Sequence, residues 1–295
     1  MNRLSEVQTW LVTGVSSGLG RAIAVAAVET GHNVVGTVRS ERDKRDFERT
    51  VGDRARGFVL DLADHAALEK LVEYSGAEFG SRIDVLVNNA GYGLAGAIEE
   101  IEIANIRKQF EVNVFSVFRL CQLVLPHMRN KRNGCIINMS STGGVVGIPG
   151  LGIYSSTKFA IEGFSEALSG EVSPLGIRVL LIEPGGFRTA WNGRSMIHTS
   201  RPIEDYDSTA GEFRRFITSL HGKLPGDPGE AGRVIVRAAA EDKTPFRFVL
   251  GSDAYHLIKD KLSSRLAEVQ RQASQSAQTD FDREYTSLLP EGLLK

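Results

Sequence analysis

The sequence predicts an α/β fold in which helices cover both faces of a doubly wound parallel β-sheet. Up to about residue 190, short runs of Val, Ile and Leu alternate with longer amphipathic segments, which is typical of successive β–α–β units. The short runs are almost continuously apolar, as expected for strands that are buried on both sides. The 295 residues are enough for one such domain with an extension. We therefore predict a single domain over residues 1–251 and a C-terminal helical extension over residues 252–295.

The predicted elements follow one another in a regular order. The apolar runs predict strands at residues 9–13, 33–38, 56–60, 84–88, 134–139 and 178–183. The longer amphipathic segments predict helices at residues 19–30, 64–80, 103–129 and 155–173. Nearer the C-terminus, a helix is predicted at residues 228–241 and a last strand at residues 246–251.

Two segments depart from this alternation. Residues 190–227 are rich in Gly, Ser, Arg and Pro and hold at most short helices, such as one at residues 209–220. Because a long irregular segment in a compact domain is usually functional, we predict a mobile substrate lid with Gly185 and Gly186 near its hinge. In the extension, an apolar stripe predicts a helix that docks onto the main body through Tyr255, Ile258, Leu262, Leu266, Val269 and Ala273. The alternative is a coiled-coil seam with a partner, for which a sustained repeat of three or four heptads is needed. Residues 274–295 are polar, which predicts a poorly ordered tail.

The composition excludes several classes of protein. With 35 Lys and Arg against 36 Asp and Glu, the net charge is −1, so neither nucleic acid nor an acidic membrane surface is an expected partner. Cys121 and Cys135 are too few for a disulfide framework, and no apolar run approaches the roughly 20 residues of a membrane span. The six histidines show no metal-binding spacing. These features predict a soluble, cytoplasmic protein without a metal.

A glycine-rich loop links the first predicted strand to the first helix. It reads Thr13-Gly14-Val15-Ser16-Ser17-Gly18-Leu19-Gly20. Glycines here let the backbone turn tightly and approach a pyrophosphate, which binds the free N–H groups at the start of the helix. The loop therefore predicts a Rossmann-type fold that binds a dinucleotide.

The same loop allows two other interpretations. Its residues 14–18 also match GxSxG, the nucleophile elbow of serine hydrolases, which would make Ser16 a nucleophile. Ser16 follows the first strand rather than a later one, however, and neither His198 nor His221 stands in a recognisable context for a partner base. The other interpretation is a purely structural glycine turn.

The residue after the second strand indicates which dinucleotide fits. A carboxylate there accepts hydrogen bonds from the ribose diol of NAD(H), whereas a guanidinium pairs with the 2′-phosphate of NADP(H). The segment ends in Val38-Arg39-Ser40 and offers no acid. Arg39 therefore favours NADP(H) over NAD(H), the alternative being a solvated surface charge.

A tyrosine and a lysine share one face of the helix that follows the fifth strand. Tyr154 and Lys158 are four residues apart, so their side chains are neighbours. A free tyrosine ionises near pH 10, and a nearby cation that stabilises the phenolate lets it act as an acid or base at neutral pH. Tyr255 and Lys259 repeat the spacing, but Tyr255 belongs to the apolar stripe, which indicates packing. Tyr154 differs because it follows a strand ending in Ser140-Ser141, at the sheet edge where ligands bind.

Together these motifs resemble the short-chain dehydrogenase/reductase family in its compact, single-domain form. The resemblance spans about residues 7–190 and also residues 228–251 more loosely, and it leaves the insert and the tail uncovered. The segment at residues 154–191 is most similar to 17β-hydroxysteroid and retinol dehydrogenases. The matching motifs are the glycine loop, Asp61-Leu62, Asn88-Asn89-Ala90-Gly91, Asn113, Ser141, Tyr154, Lys158 and Pro184-Gly185 with Thr189.

The resemblance implies hydride transfer between a nicotinamide dinucleotide and a ketone, aldehyde or alcohol. Tyr154 would exchange the proton with the substrate oxygen, and Lys158 would hold the nicotinamide ribose and lower the pKa of the tyrosine. Ser141 would hydrogen-bond the substrate oxygen, and Asn113 would help to hold a water molecule. Ser140 is interpreted as a hydroxyl satisfied by backbone. The cofactor-binding candidates are Gly14, Ser16, Ser17, Gly18, Leu19, Gly20, Arg39, Asp61, Leu62, Asn88, Ala90, Gly91, Tyr154, Lys158, Pro184, Gly185, Phe187 and Thr189.

The remaining predictions concern substrate and assembly. The expected substrate wall is largely apolar, which favours a bulky or aromatic carbonyl; it comprises Tyr92, Leu94, Val146, Ile148, Pro149, Trp191 and Met196. Reduction is the expected direction where the NADP(H) pool is kept reduced. Members of the family commonly pair through the helices predicted here at residues 103–129 and 155–173, so a homodimer or homotetramer is expected. A dinucleotide-sensing regulator without turnover is the alternative from another functional class.

Overall fold

A computed structural model of the chain describes residues 6–80, 83–191, 193, 195–220, 222–241 and 243–279. Its strands are β1 (Thr9–Val12), β2 (Asn33–Val38), β3 (Ala55–Val59), β4 (Val85–Asn88), β5 (Gly93–Ala95), β6 (Gly134–Met139), β7 (Ile177–Pro184), β8 (Met196–His198) and β9 (Arg247–Leu250). Seven of them form one sheet in the order β3-β2-β1-β4-β6-β7-β9, with every neighbouring pair parallel. The predicted doubly wound parallel sheet is confirmed.

The helices follow the strands in the expected alternation. They are α1 (Gly18–Glu29), α2 (Glu41–Val51), α3 (His65–Glu78), α4 (Ile103–Phe110), α5 (Ser116–Lys131), α6 (Gly152–Val172), α7 (Glu212–Ser219), α8 (Pro228–Ala240), α9 (Ser252–Arg271) and α10 (Ala273–Ser276). Side chains of Ser40, Asp64 and Asp227 accept hydrogen bonds from the first backbone N–H groups of α2, α3 and α8. Such caps explain why these helices begin where they do.

Helices cover both faces of the sheet and bury a hydrophobic core on each. On one face α1 and α8 pack closely, and a Cβ at Gly232 would lie 2.5 Å from the carbonyl oxygen of Ala22. On the other face Leu71, Leu120 and Ile161 of α3, α5 and α6 are almost completely buried. Because the sheet is parallel, the carboxyl ends of its strands meet at one edge, where ligands bind in this architecture.

Two parts of the domain differ from the prediction. No helix was expected between the second and third strands, yet α2 lies there. Its sequence is almost entirely charged and buries only Phe47, so it lacks the apolar periodicity that identifies a helix. The short strands β5 and β8 pair with each other in a separate two-stranded sheet, and at three residues each they were also missed.

The predicted long helix at residues 103–129 is interrupted. A π-helical turn at Glu111–Phe115 separates α4 from α5. A π turn carries an extra residue, is rare and is frequently found at functional sites. Other predicted boundaries differ from the observed ones by at most three residues.

The predicted docking of the C-terminal helix is wrong for most of its length. In α9 only Ala254 and Ile258 are buried, whereas Tyr255, Leu262, Leu266 and Val269 are each more than half exposed. Spacing of three and four identifies an apolar face but not what covers it, and the body of the domain reaches only the start of this helix. The first part of the predicted tail forms short helical turns up to Thr279, and residues 280–295 lie outside the described residues. None of the helices in the described ranges combines the length and apolar character needed to cross a membrane.

Candidate active site

The β1–α1 loop is attached to the end of β4 by side-chain hydrogen bonds. The Thr13 hydroxyl accepts from the backbone N–H groups of Asn89 and Ala90, at 2.9 and 3.0 Å. The Asn89 amide donates back to the carbonyl oxygens of Thr13 and Gly14, at 2.9 and 3.2 Å. Gly14 has a φ of +74°, and a Cβ there would lie 3.0 Å from Ala90. These hydrogen bonds fix the conformation of the loop, and that conformation requires glycine at position 14.

The start of α1 offers free N–H groups. Its first flanking residue, Ser17, is extended, but its side chain accepts no hydrogen bond from the helix, and the first turn contains no acidic residue. This differs from the capped starts of α2, α3 and α8. Ser16, Ser17 and Leu19 are partly exposed there, and a Cβ at Gly18 would lie 3.3 Å from Thr189. An uncapped helix start beside a glycine loop fits the pyrophosphate of a dinucleotide.

Other cofactor candidates lie at neighbouring strand ends. Arg39, after β2, is exposed and has no hydrogen-bond or ion-pair partner in the described part of the chain. Asp61, after β3, is exposed and accepts from the N–H of Ala63, whereas Leu62 is buried. Asn88, the last residue of β4, is buried, and its amide donates to Asn138 Oδ1 at 2.8 Å.

Tyr154 and Lys158 lie side by side on the buried face of α6. The Lys158 Nζ donates to the carbonyl oxygen of Met139, at the end of β6, at 2.7 Å, and lies 5.8 Å from the centre of the Tyr154 ring. Burial raises the pKa of Tyr154 to about 12, opposed by a hydrogen bond with Ser141. Burial lowers the pKa of Lys158 to about 8, opposed by the charge of Glu162. Burial therefore favours the protonated form of the Tyr154 phenol. The lowering of its pKa by Lys158 stays a prediction.

The π-helical turn brings Asn113 to the same place. Its Nδ2 donates to the Tyr92 carbonyl oxygen at 2.9 Å and to the Thr157 hydroxyl at 3.2 Å. Its Oδ1 accepts from the N–H of Tyr92 at 3.2 Å, and a Cβ at Gly91 would lie 3.2 Å from that oxygen. Asn113 is buried, and its bond to Thr157 holds it against α6 next to Lys158.

Behind these residues lies a carboxylate cluster, formed by Glu162, Glu166, Glu183 and Arg247, that sequence reasoning missed. The Arg247 Nε lies 3.2 Å from Glu162 and 3.6 Å from Glu183, and its guanidinium also pairs with Glu166. Ser140 donates its hydroxyl proton to Glu162, so the predicted backbone partner is wrong. Arg247 and Glu162 are 85 residues apart, and no local spacing signals such a contact.

Replacing Glu183 by Gln is expected to stabilise the fold at alkaline pH. Burial raises the pKa of Glu183 to about 7, and the charge of Glu162 adds to this while Arg247 opposes it. From pH 4.5 to about 7 the folded state keeps a proton that the unfolded chain releases, so the free energy of unfolding falls as the pH rises. Urea unfolding of Glu183→Gln should therefore give roughly 1–2 kcal/mol more stability near pH 8 and no gain near pH 4.

Glu166→Gln is the matched control for this substitution. It removes an exposed partner of the same guanidinium and should change stability little at either pH. A loss of stability in Glu183→Gln near pH 8 would contradict the prediction.

The segment after β7 is held in a defined loop. The Gly185 N–H donates to the Leu250 carbonyl oxygen at 2.9 Å, and the Gly186 N–H donates to Asp253 Oδ2 at 2.7 Å. Phe187 is buried and pairs with Gly226 through a β-bridge. The Thr189 hydroxyl accepts from the N–H of Trp191 at 3.2 Å. Residues 184–189 thus run between the β9–α9 junction and the start of α1.

An apolar cluster covers Tyr154. The rings of Tyr154 and Trp191 are 5.2 Å apart between centres. Of the predicted substrate wall, Ile148, Trp191 and Met196 belong to this cluster, while Phe213 was not predicted. Tyr92, Leu94, Val146 and Pro149 are not among its members.

The predicted lid is attached to the body by a buried carboxylate. Glu100, whose side chain is 0% exposed, accepts from the N–H groups of Ala97 and Ile203, both at 2.8 Å. Arg214 of α7 lies 3.4 Å from the same carboxylate. Strand β8, also in this segment, pairs with β5. Ile203, Arg214 and β8 of this segment are therefore held against Glu100 and β5 of the main body.

Comparison with known proteins places the chain in a family. Residues 8–198 match the family model described as short chain dehydrogenase. The chain is 39% identical over 249 residues to a 3-ketodihydrosphingosine reductase from Bacteroides thetaiotaomicron, covering 83% of this chain and 88% of that one. It is 36% identical over 246 residues to oxidoreductase BOA17 from Botryotinia fuckeliana, covering 83% and 89% respectively.

Solved structures similar to this chain include members of the same family. A short-chain dehydrogenase from Streptomyces avermitilis has a TM-score of 0.87 and 39% identity, covering 94% of this chain and 99% of that chain. A metagenomic short-chain oxidoreductase in complex with NADP has a TM-score of 0.65 and 26% identity, covering 82% and 96%. The protein belongs to the short-chain dehydrogenase/reductase family and is an oxidoreductase enzyme of that type.

Proposed function

We propose that the protein is an NADP(H)-dependent oxidoreductase that interconverts a ketone or aldehyde with an alcohol, using Tyr154 as acid and base. The observation that carries this proposal is the convergence of Asn113, Ser141, Tyr154 and Lys158 at the sheet edge, next to the uncapped start of α1.

The roles of these side chains follow from their contacts. Nicotinamide, when bound, supplies or accepts the hydride at the substrate carbon. Tyr154, kept protonated by burial, donates its phenolic proton to the substrate oxygen during reduction. Ser141, hydrogen-bonded to that phenol, stabilises the negative charge that develops on the oxygen. Lys158 places a cation beside the phenolate that is left, and Asn113 fixes the loop after β4 against α6.

Raising the pH through about 8 is expected to slow carbonyl reduction. Burial holds the pKa of Lys158 at about 8, so above this pH the ammonium group loses its charge. The phenolate of Tyr154 then loses its stabilising cation, and kcat should fall about tenfold per pH unit. Far-UV circular dichroism, measured at each pH, is the control for loss of the fold. A kcat that stays level to about pH 10 would contradict the role of Lys158.

Arg39 supports the preference for NADP(H). Its guanidinium is exposed, unpaired within the described residues and located at the end of β2, with no carboxylate at Val38. This is the arrangement that pairs with a 2′-phosphate. The NADP complex of the metagenomic relative is in line with this preference.

The apolar cluster over Tyr154 supports a bulky or aromatic carbonyl substrate. Trp191, Met196, Ile148 and Phe213 present ring and methyl surface to the tyrosine. The Bacteroides relative is named a 3-ketodihydrosphingosine reductase, and we infer an apolar ketone substrate here. The resemblance to 17β-hydroxysteroid and retinol dehydrogenases does not identify a steroid substrate, and we propose reduction as the direction in cells.

We further propose that residues 190–227 act as a lid over the substrate.

We also propose that the enzyme is a homo-oligomer and that it is cytoplasmic. Exposed Ile103, Phe115 and Phe159 lie within or beside the helices through which pairing is expected, and apolar side chains of this size favour burial between subunits. Cys121 and Cys135 are buried and are not disulfide-bonded among the described residues, which suits a reducing compartment.

Titration with NADPH and NADH, followed by oxidation of NADPH against a panel of aromatic and aliphatic ketones, aldehydes and quinones, tests the proposal. Tighter binding of NADPH and turnover with an apolar carbonyl are the expected results. Binding without turnover on any carbonyl would favour the dinucleotide-sensing alternative. Labelling of Ser16 by a serine reagent, with no dinucleotide binding, would favour the hydrolase. His198 makes no hydrogen bond to Ser16, and His221 lies outside the described residues.

A further inference from the structure

The loop after β7 is held from behind by one short stretch of the chain, residues 247–253. Glu183 faces Arg247 at 3.6 Å, and the Gly185 N–H bonds to the carbonyl oxygen of Leu250 at 2.9 Å. The Gly186 N–H bonds to Asp253 Oδ2 at 2.7 Å. The last of these contacts comes from the first turn of α9, which lies beyond the residues matched by the family model.

The Asp253 carboxylate is packed directly against glycine backbone. A side chain at Gly185 would collide with it, and a Cβ at Gly251 would lie 2.6 Å from its Oδ1. At Gly186 the corresponding distance to Oδ2 is 3.3 Å. The absence of side chains at these three glycines thus leaves room for the carboxylate. Its Oδ2 accepts the hydrogen bond from Gly186, whereas its Oδ1 is buried and has no hydrogen-bond partner among the described residues.

The other side of the loop is also fixed. Gly186 accepts at its carbonyl oxygen from the N–H of Gly226 at 2.9 Å, and Arg188 donates its N–H to the Gly226 carbonyl oxygen at 2.9 Å. The peptide units around Gly186 are therefore held between Asp253 and Gly226. A change at either contact is transmitted to Phe187 and Thr189, and Thr189 lies beside Gly18 at the start of α1.

We propose that Asp253 is a positioning residue for the nicotinamide end of the cofactor. By fixing the Gly186 N–H it sets the course of residues 184–189, and this role depends on the proposed binding of NADP(H) by those residues. A charged acceptor is suited to this because hydrogen bonds to ionised groups are shorter and stronger than neutral ones. The C-terminal extension thereby contributes to the cofactor site. Asp253 would act indirectly, through the position of the loop.

Isothermal titration with two ligands tests the proposal. NADPH spans the whole site, whereas 2′-phospho-ADP-ribose lacks the nicotinamide and reports only the adenine and phosphate end. Asp253→Ala should weaken NADPH binding about tenfold or more and leave the affinity for 2′-phospho-ADP-ribose within about twofold of wild type. Asp253→Asn keeps an acceptor oxygen and should recover most of the NADPH affinity.

Asp260→Ala is the matched control, since Asp260 is an exposed acid of the same helix without a hydrogen bond or ion pair to other described residues. It should bind both ligands as wild type does. Unchanged NADPH affinity in Asp253→Ala would overturn the proposal. So would variants Asp253→Ala and Asp253→Asn that each lose as much affinity for 2′-phospho-ADP-ribose as for NADPH. If the unaltered enzyme binds neither ligand, the proposed function itself is wrong and the inference falls with it.

Discussion

Replacing Tyr154 by Phe is expected to lower kcat for carbonyl reduction by about 10²- to 10⁴-fold while NADPH binding stays within about twofold. The substitution removes one hydroxyl from a ring that is buried among Trp191, Met196 and Leu151, so the packing of α6 is kept. What is lost is the proton that the substrate oxygen receives as hydride reaches the carbon. Stopped-flow turnover and NADPH titration on the same protein separate the two effects.

Tyr255→Phe provides the matched control. Tyr255 also precedes a lysine by four residues, but it is more than half exposed on α9. Its variant should be fully active. A Tyr154→Phe enzyme with kcat near that of wild type would mean that another group supplies the proton.

Replacing Arg39 by Asp is expected to reverse the cofactor preference. The guanidinium has no partner in the described residues, so the variant loses no contact of the folded protein. It loses a charge-assisted pair with the 2′-phosphate, and the new carboxylate repels that group while accepting hydrogen bonds from a ribose diol. The Kd for NADPH should rise about 100-fold and the Kd for NADH should fall.

Arg45→Asp distinguishes a local contact from an effect of net charge. Arg45 is an exposed residue of α2 and gives the same change in charge without standing at the strand end. It should shift the Kd for NADPH by less than about threefold at physiological salt. Equal effects of the two variants would assign Arg39 to the solvated surface.

Features with a local signature could be predicted from the sequence. The central strands β1, β4 and β6 are buried throughout, so their apolar runs are easily recognised. Tyr154 and Lys158 could be selected because a spacing of four residues makes them neighbours on one helix face, and the family resemblance added Ser141. Helix α2 was missed because it is charged almost throughout and buries only Phe47.

Features that depend on distant contacts could not be predicted. Glu162 and Arg247 are 85 residues apart, and Gly186 and Asp253 are 67 residues apart. Nothing in either segment alone indicates its partner. The apolar stripe of α9 shows the same limit, since its period predicts a helix correctly but does not reveal that most of it is exposed.

The order of strands in the sheet also bears on how the chain is made. As the polypeptide leaves the ribosome, β2 can pair with β1, β3 with β2, and β4 with the other edge of β1. Later, β6, β7 and β9 each add to the strand placed before them. No strand has to be inserted between two that are already paired, so the sheet grows only at its edges. Asp253, however, follows the last strand, so a nascent chain can assemble most of its core well before the hydrogen bond between Gly186 and Asp253 can form.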